Sequence, residues 1–137
     1  MSEKRYVTVD TPGTLREMVK HIKEHDIIAF DTETNSLNVR KGKIIGISVS
    51  GEVGVGYYMP TMVLKDGELV DDAIYGESCH DLVKKVLTVL CTKKIIGHNL
   101  SFDSRFVKQF YGIDIIPAIY ADTMLLVHTV AEEGAGE

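Results

Sequence analysis

Apolar and polar residues follow two different periods along this chain. Alternation from Tyr6 to Val9 predicts a short strand, and a compact apolar run over residues 27–32 predicts a buried one. Two further strands, over residues 43–50 and 53–59, flank Gly51-Glu52, and this short connection predicts an antiparallel hairpin. Shorter strands are expected over residues 94–97 and, around Pro117, over residues 116–120.

Apolar residues that recur every three or four positions predict helices between these strands. The first follows Thr11-Pro12 and Thr14-x-x-Glu17, which are helix-start signals. The second opens at Ser78-x-x-Asp81, the third covers residues 101–111 and ends at Gly112, and the fourth runs from the N-cap Asp122 to about residue 130. Residues 60–76 lack a period and are expected to form a loop.

The order of these elements defines the expected fold class. Hairpin strands come first and strand–helix alternation follows, so we expect an α/β domain with a mixed sheet flanked by helices. The 137 residues suit a single domain.

Composition narrows the possible functions. Hydrophobic residues make up 45% and charged residues 26%, which is ordinary for a globular protein and excludes a disordered or collagen-like chain. With 15 basic and 20 acidic residues the net charge is −5, which argues against a large basic footprint for duplex DNA but allows an acidic pocket that binds a cation. No apolar run reaches the ~18 residues of a membrane span and no signal peptide is evident, so we expect a cytoplasmic protein without membrane contact.

Two carboxylates stand at the end of the strand predicted over residues 27–32. Asp31 and Glu33 are two positions apart, so both side chains lie on one face of a strand. Like charges this close favour a divalent cation between them, and Mg²⁺ prefers carboxylate oxygens. The alternative is a strand that has simply reached solvent.

A third acid follows the strand over residues 94–97. Asp103 falls in the first turn of the next helix, at the carboxyl end of a strand, where open α/β sheets bind their ligands. The alternative role for Asp103 is stabilisation of the helix N-terminus. His98 and Asn99 lie in the same connection. Asp122 precedes the fourth predicted helix, and a role as the N-cap of that helix is sufficient to explain it.

Taken together, these segments resemble the 3′–5′ exonuclease, or proofreading, domain of family A DNA polymerases, a member of the DEDD exonuclease superfamily. The resemblance rests on Ala29-Phe-Asp-Thr-Glu-Thr-Asn-Ser-Leu37, Gly97-His-Asn-Leu-Ser-Phe-Asp103 and Asp122-Thr-Met-Leu. It implies a ribonuclease H-like fold over nearly the whole chain. It also implies hydrolysis of phosphodiesters at a DNA 3′ end with two divalent cations, Mg²⁺ or Mn²⁺.

The resemblance also assigns roles to individual residues. Asp31, Glu33 and Asp103 would be the catalytic metal ligands, and Asp122 would be structural. Contacts to the terminal nucleotides would come from five further residues: Thr34, Leu37, His98, Asn99 and Phe102. The implied partners are a single-stranded DNA 3′ end and a polymerase domain on the same or a separate chain, in a bacterial cell or a phage-infected host.

One family feature is missing from the sequence. The family uses a fourth carboxylate from a later Tyr-x-x-x-Asp or His-x-x-x-x-Asp motif, and neither follows Asp103. We therefore expect residues 1–137 to be a single exonuclease-like domain that is incomplete at its C-terminus, with weak or no activity as an isolated chain and possible self-association. The alternative functions are a catalytically silent domain that binds a DNA 3′ end or a partner polymerase, and an RNA-processing exonuclease.

Overall fold

A computed structural model describes residues 4–71 and 79–124 of the chain. Six strands form one sheet and two short strands form a separate hairpin. The strands are β1 (Arg5–Thr8), β2 (Ile27–Thr34), β3 (Ile44–Glu52), β4 (Val55–Pro60), β5 (Val63–Lys65), β6 (Glu68–Val70), β7 (Lys94–Gly97) and β8 (Ile119–Asp122). The helices are α1 (Pro12–Glu24), α2 (Cys79–Leu90) and α3 (Leu100–Tyr111).

The large sheet is mixed, as the sequence predicts. Its strand order is β1-β4-β3-β2-β7-β8. The central strands β2, β3 and β4 form an antiparallel meander, whereas β1, β7 and β8 are added in parallel pairings. The helical crossovers therefore place β7, and with it the start of α3, directly beside β2.

Alternate residues of the central strands build the core against the three helices. Ile28 and Phe30 of β2 are buried in one cluster with Met18 of α1, Leu87 of α2 and Phe106 of α3. Since side chains alternate along a strand, Ala29, Asp31 and Glu33 lie on the opposite face of β2. No helix in the described part of the chain is long and apolar enough to cross a membrane.

Helix α1 begins at the predicted position, but the residue that completes its capping box is Thr14 and not Glu17. Thr11 is the N-cap, and its side chain and that of Thr14 bond reciprocally to each other's backbone N–H groups. Glu17 instead pairs with Arg5 at 2.6 Å and accepts a hydrogen bond from the Tyr57 hydroxyl at 2.8 Å. Glu17 thus ties α1 to the sheet rather than capping the helix.

Two predictions about the connections after β3 were wrong. Strand β3 continues through Gly51 and Glu52, and the chain reverses at residues 53–54, where Gly54 adopts a φ of 84° that a side chain would disfavour. Residues 60–76 are not all loop, since β5 and β6 form a hairpin around a turn at residues 66–67. Each of these strands has only three residues, which is too short for a period to show.

The predicted strand over residues 116–120 also begins too early. A 3₁₀ turn at Ile116–Ala118 precedes β8, and the fixed φ of Pro117 suits that turn. The predicted N-cap Ser78, and the helix expected beyond Met124, lie outside the described residues.

Candidate active site

The end of β2 projects beyond its parallel neighbour. Pairing with β7 stops at Ala29, whereas pairing with β3 continues to Thr34. Asp103, in the first turn of α3, occupies the edge that β7 leaves open. Its Oδ1 accepts hydrogen bonds from the backbone N–H of Thr32 at 2.9 Å and from the Thr32 hydroxyl. The acid is thereby fixed beside the residue that separates Asp31 from Glu33.

Asp103 is held in an environment that disfavours its charge. The residue is only 2% exposed. Burial raises the pKa of Asp103, the two hydrogen bonds from Thr32 oppose that rise, and the negative charge of Asp31 adds to it. A divalent cation near these carboxylates would relieve both the desolvation of Asp103 and its repulsion by Asp31.

Glu33 is oriented by a contact across the sheet. The Tyr58 hydroxyl on β4 donates to Glu33 Oε2 at 2.9 Å. Burial, followed by the contact with Glu33, raises the pKa of Tyr58 to about 12, so Tyr58 stays a donor at neutral pH.

Gly46 makes the contact between Tyr58 and Glu33 possible. It lies on β3 directly opposite Glu33, and a Cβ at this position would lie 2.6 Å from Tyr58 Cε2. The absence of a side chain at residue 46 therefore lets the tyrosine ring cross β3.

Asp122 organises the start of α3 from the end of β8. Its Oδ1 accepts from the Asn99 N–H at 2.9 Å and its Oδ2 accepts from the Leu100 N–H at 2.8 Å. Oδ1 also accepts from the Met124 N–H at 3.0 Å. Burial acts to raise the pKa of Asp122, but these three backbone donors outweigh it and lower that pKa. Asp122 thus positions the turn that presents Asp103.

Three of the predicted substrate residues lie in the turn between β7 and α3 or in the first turn of α3. Asn99 has a left-handed backbone with φ 57°, and its side chain makes no capping hydrogen bond to α3. His98 is exposed, and its Nδ1 lies 2.9 Å from Thr123 Oγ1. Phe102 is half-buried, with its ring centroid 4.9 Å from that of Phe106.

The remaining two predicted substrate residues follow the acids of β2. The Thr34 hydroxyl donates to the Ser36 carbonyl at 3.0 Å. Leu37 is 85% exposed in a loop that is closed at its base by hydrogen bonds between Asn35 and Lys43. An exposed apolar side chain on a loop closed by hydrogen bonds is suited to contact an apolar ligand surface such as a nucleobase.

A groove runs over the sheet face that bears Asp31. Its volume is about 630 Å³, and it continues across β3 and β4 to β1. Polar and aromatic side chains along it come from Tyr6, Thr8, Ser48, Ser50, Tyr58 and His98. The groove places Asp31 and His98 on a common surface.

The donor set fits a hard divalent cation in its chemistry, since Asp31, Glu33 and Asp103 supply only carboxylate oxygens. The structure links Asp103 to Asp31 electrostatically and turns Glu33 towards Tyr58. Within residues 4–71 and 79–124, no three acidic, histidine or cysteine side chains are already arranged around one point as metal ligands. The common site of the three acids therefore stays a prediction.

Three residues that position the acids were missed by the sequence reasoning. Thr32 lies between the two acids of the Asp-Thr-Glu motif. Because side chains alternate along a strand, the Thr32 side chain points away from those of Asp31 and Glu33, towards the helices. Gly46 is an isolated glycine within a strand pattern, a signal of close approach by another group. Tyr58 has no local signal, because its role depends on the register between β3 and β4.

Comparison with known proteins agrees with this architecture, an α/β ribonuclease H-like exonuclease fold with acids at the end of a central strand. Residues 6–132 match the 3′–5′ exonuclease family of the family A DNA polymerases. The chain belongs to this family.

Two curated relatives are DNA polymerases. The chain is 32% identical to DNA polymerase I of Borreliella burgdorferi over 126 residues, and 30% identical to the DNA polymerase of Escherichia phage T5 over 137 residues. These alignments cover 92% and 96% of this chain but only 13% and 14% of the relatives, so the chain spans about one-seventh of their length.

A solved structure shows the same fold at lower identity. The Aedes aegypti Nibbler EXO domain superposes with a TM-score of 0.61 at 16% identity, covering 96% of this chain and 58% of that one.

Proposed function

We propose that this chain hydrolyses phosphodiester bonds at the 3′ end of single-stranded or frayed DNA, as the proofreading domain of a DNA polymerase. The observation that carries the proposal is the anchoring of Asp103 to Thr32, between two acids of a strand end. A purely structural acid in a helix first turn has no need to be buried beside another carboxylate. Membership of the exonuclease family gives this arrangement its chemistry.

Asp31, Glu33 and Asp103 would hold two divalent cations, Mg²⁺ or Mn²⁺. When bound, such ions activate water and stabilise the charge that develops on the phosphate. Thr32 holds Asp103 in place and Asp122 fixes the turn that carries Asp103, whereas Glu33 has to leave Tyr58 to bind a cation. The contacts of Thr32 and Asp122 are the ones that limit rearrangement.

The terminal nucleotides would contact the residues that surround the acids. Leu37 and Phe102 offer apolar surface for bases, while Asn99 and His98 offer polar groups on the turn before α3. Thr34 would contribute its backbone. Because only a few unpaired nucleotides need to be held, the net charge of −5 does not oppose this function.

DNA is favoured as the substrate because the relatives at 32% and 30% identity are DNA polymerases. The same relatives support a polymerase domain as the partner.

A second candidate is a catalytically silent domain that binds a DNA 3′ end or a partner polymerase. One observation favours it: the Glu33 carboxylate is turned towards the Tyr58 hydroxyl. The two candidates differ in one property, since only the exonuclease converts DNA to mononucleotides.

The test measures release of nucleoside 5′-monophosphates from a 3′-labelled single-stranded oligonucleotide in Mg²⁺ or Mn²⁺. It compares this chain with Asp31→Ala and Glu33→Gln. We expect slow release by the chain that depends on Asp31 and Glu33. No release by the chain, with retained binding of the oligonucleotide, would establish the silent domain instead.

A matched control is Asp66→Ala, which removes a carboxylate from the exposed β5–β6 turn. It changes the net charge by the same amount as Asp31→Ala. Equal loss of activity in both variants would show that charge alone, and not the site, causes the effect.

A further inference from the structure

A second groove lies between α1 and α2, on the other side of the molecule's core from the Asp31 face. It has a volume of about 530 Å³ and shares no lining residue with the groove along the sheet. The proposed nuclease function makes no use of it.

The floor of this groove is entirely aliphatic. Residues on α1 are spaced by four, and those on α2 are spaced by four and three, so each helix presents one continuous row. The floor consists of Leu15, Val19, Leu82, Val86 and Val89. Val86 is buried, whereas the other four are only partly covered and still offer apolar surface to a partner.

The rim of the groove is basic, although the chain as a whole carries a net charge of −5. Four exposed cations line it, Arg16, Lys20, Lys23 and Lys85, against one acid, Glu24. The Lys20 Nζ lies 3.8 Å from Glu24 Oε1. Within the described ranges the other three cations form no ion pair.

We propose that this α1–α2 groove binds an acidic amphipathic helix of a partner protein. Apolar side chains of that helix would cover the aliphatic floor, and its Asp and Glu residues would meet the basic rim. The lining residues extend from Leu15 to Glu24 on α1 and from Leu82 to Val89 on α2. At ~1.5 Å per residue the groove is therefore ~11–14 Å long and matches about two turns of a bound helix.

The chemistry of the floor favours a peptide over a nucleic acid. Single-stranded nucleic acids bind through aromatic side chains that stack on bases, and the lining residues include no aromatic side chain. A phosphate backbone would engage the cations but leave the aliphatic rows uncovered.

The test selects a phage-displayed library of 16-residue helix-forming peptides against the immobilised 137-residue chain. Selected peptides are then measured by fluorescence anisotropy. We expect them to carry apolar residues at i, i+4 and i+7 with Asp or Glu beside them. Lys23→Glu/Lys85→Glu should weaken their binding about tenfold or more. The matched control Lys65→Glu/Lys84→Glu makes the same charge change away from the groove and should bind normally.

A second variant tests the floor without altering charge. Leu82→Gln should also weaken peptide binding, and a circular dichroism melt shows whether the variant remains folded. If Leu82→Gln is unfolded, the exposed-lysine variants alone decide the question.

Several outcomes would overturn the proposal. The selected peptides could be neutral or basic, or their binding could be unaffected by Lys23→Glu/Lys85→Glu. The selection could also yield no peptide at all. Tight binding of a 16-nucleotide oligothymidylate that depends on Lys23 and Lys85 would assign the groove to nucleic acid. A dimer of this chain that the same variant disrupts would assign it to self-association.

Discussion

Replacing Thr32 with valine removes one donor to a buried carboxylate and keeps the volume of the side chain. In the native structure Asp103 Oδ1 accepts from both the hydroxyl and the backbone N–H of Thr32, and only the second bond, at 2.9 Å, survives the substitution. A hydrogen bond to a charged group is worth about 1.5–3 kcal/mol. We therefore expect Thr32→Val to lower the free energy of unfolding by about that amount. For a domain of this size the corresponding fall in Tm is about 5–15 °C.

The loss should depend on pH in a defined direction. Burial raises the pKa of Asp103 in the folded protein. The contribution of Asp103 to the free energy of unfolding is therefore complete below the pKa that this residue has in the unfolded chain. It declines as pH rises through the pKa of Asp103 in the folded protein. The Thr32 hydroxyl opposes this decline by lowering the folded pKa. The difference between wild type and Thr32→Val should therefore be larger at pH 7.5 than at pH 4.

Urea denaturation at both pH values, without divalent cations, measures this difference. Thr88→Val is the matched control, because its hydroxyl donates to the Lys84 carbonyl on an exposed helix face, and we expect a change within about 0.5 kcal/mol. In an Asp103→Asn background, which removes the charge, the cost of Thr32→Val should fall to about 1 kcal/mol. A loss no larger than that of Thr88→Val, or one independent of pH, would refute the reasoning.

Three further predictions concern the surroundings of the acids. Gly46→Ala should displace the Tyr58 ring from Glu33 and destabilise the fold by about 1–3 kcal/mol, as measured by urea denaturation. Asp122→Ala should cost about 1–2 kcal/mol at pH 7 by removing the cap of α3, and the cost should shrink as pH falls through the lowered pKa of Asp122, because the native carboxylate is then protonated too. Mn²⁺ should raise the Tm of wild type but not of Asp31→Ala, and EDTA should reverse the rise; equal shifts in both proteins would contradict the site.

Much of the fold follows from period and turn chemistry alone. The buried run that forms β2, the amphipathic rows of α1 and the Gly112 end of α3 are local features, and local features predict elements. The shared face of Asp31 and Glu33 follows from the strand period in the same way. The mixed sheet followed from the order of those elements.

The contacts that position the acids depend on long-range register instead. Thr32 meets Asp103 only because pairing with β7 stops at Ala29, and Tyr58 reaches Glu33 only across Gly46. Asp122 has a local signal for capping, but its bonds to Asn99 and Leu100 require β8 to lie beside β7. The spacing of residues within a single segment cannot predict these long-range contacts.

The central claim, that Asp31, Glu33 and Asp103 form one divalent-cation site, is tested most directly by anomalous diffraction from crystals soaked in Mn²⁺. We expect an anomalous peak within ~2.0–2.3 Å of carboxylate oxygens of Asp31 and Glu33, with Asp103 bound directly or through a water. Glu33 should have left Tyr58 to reach it. A peak located away from these three acids, or none at saturating Mn²⁺, would contradict the account.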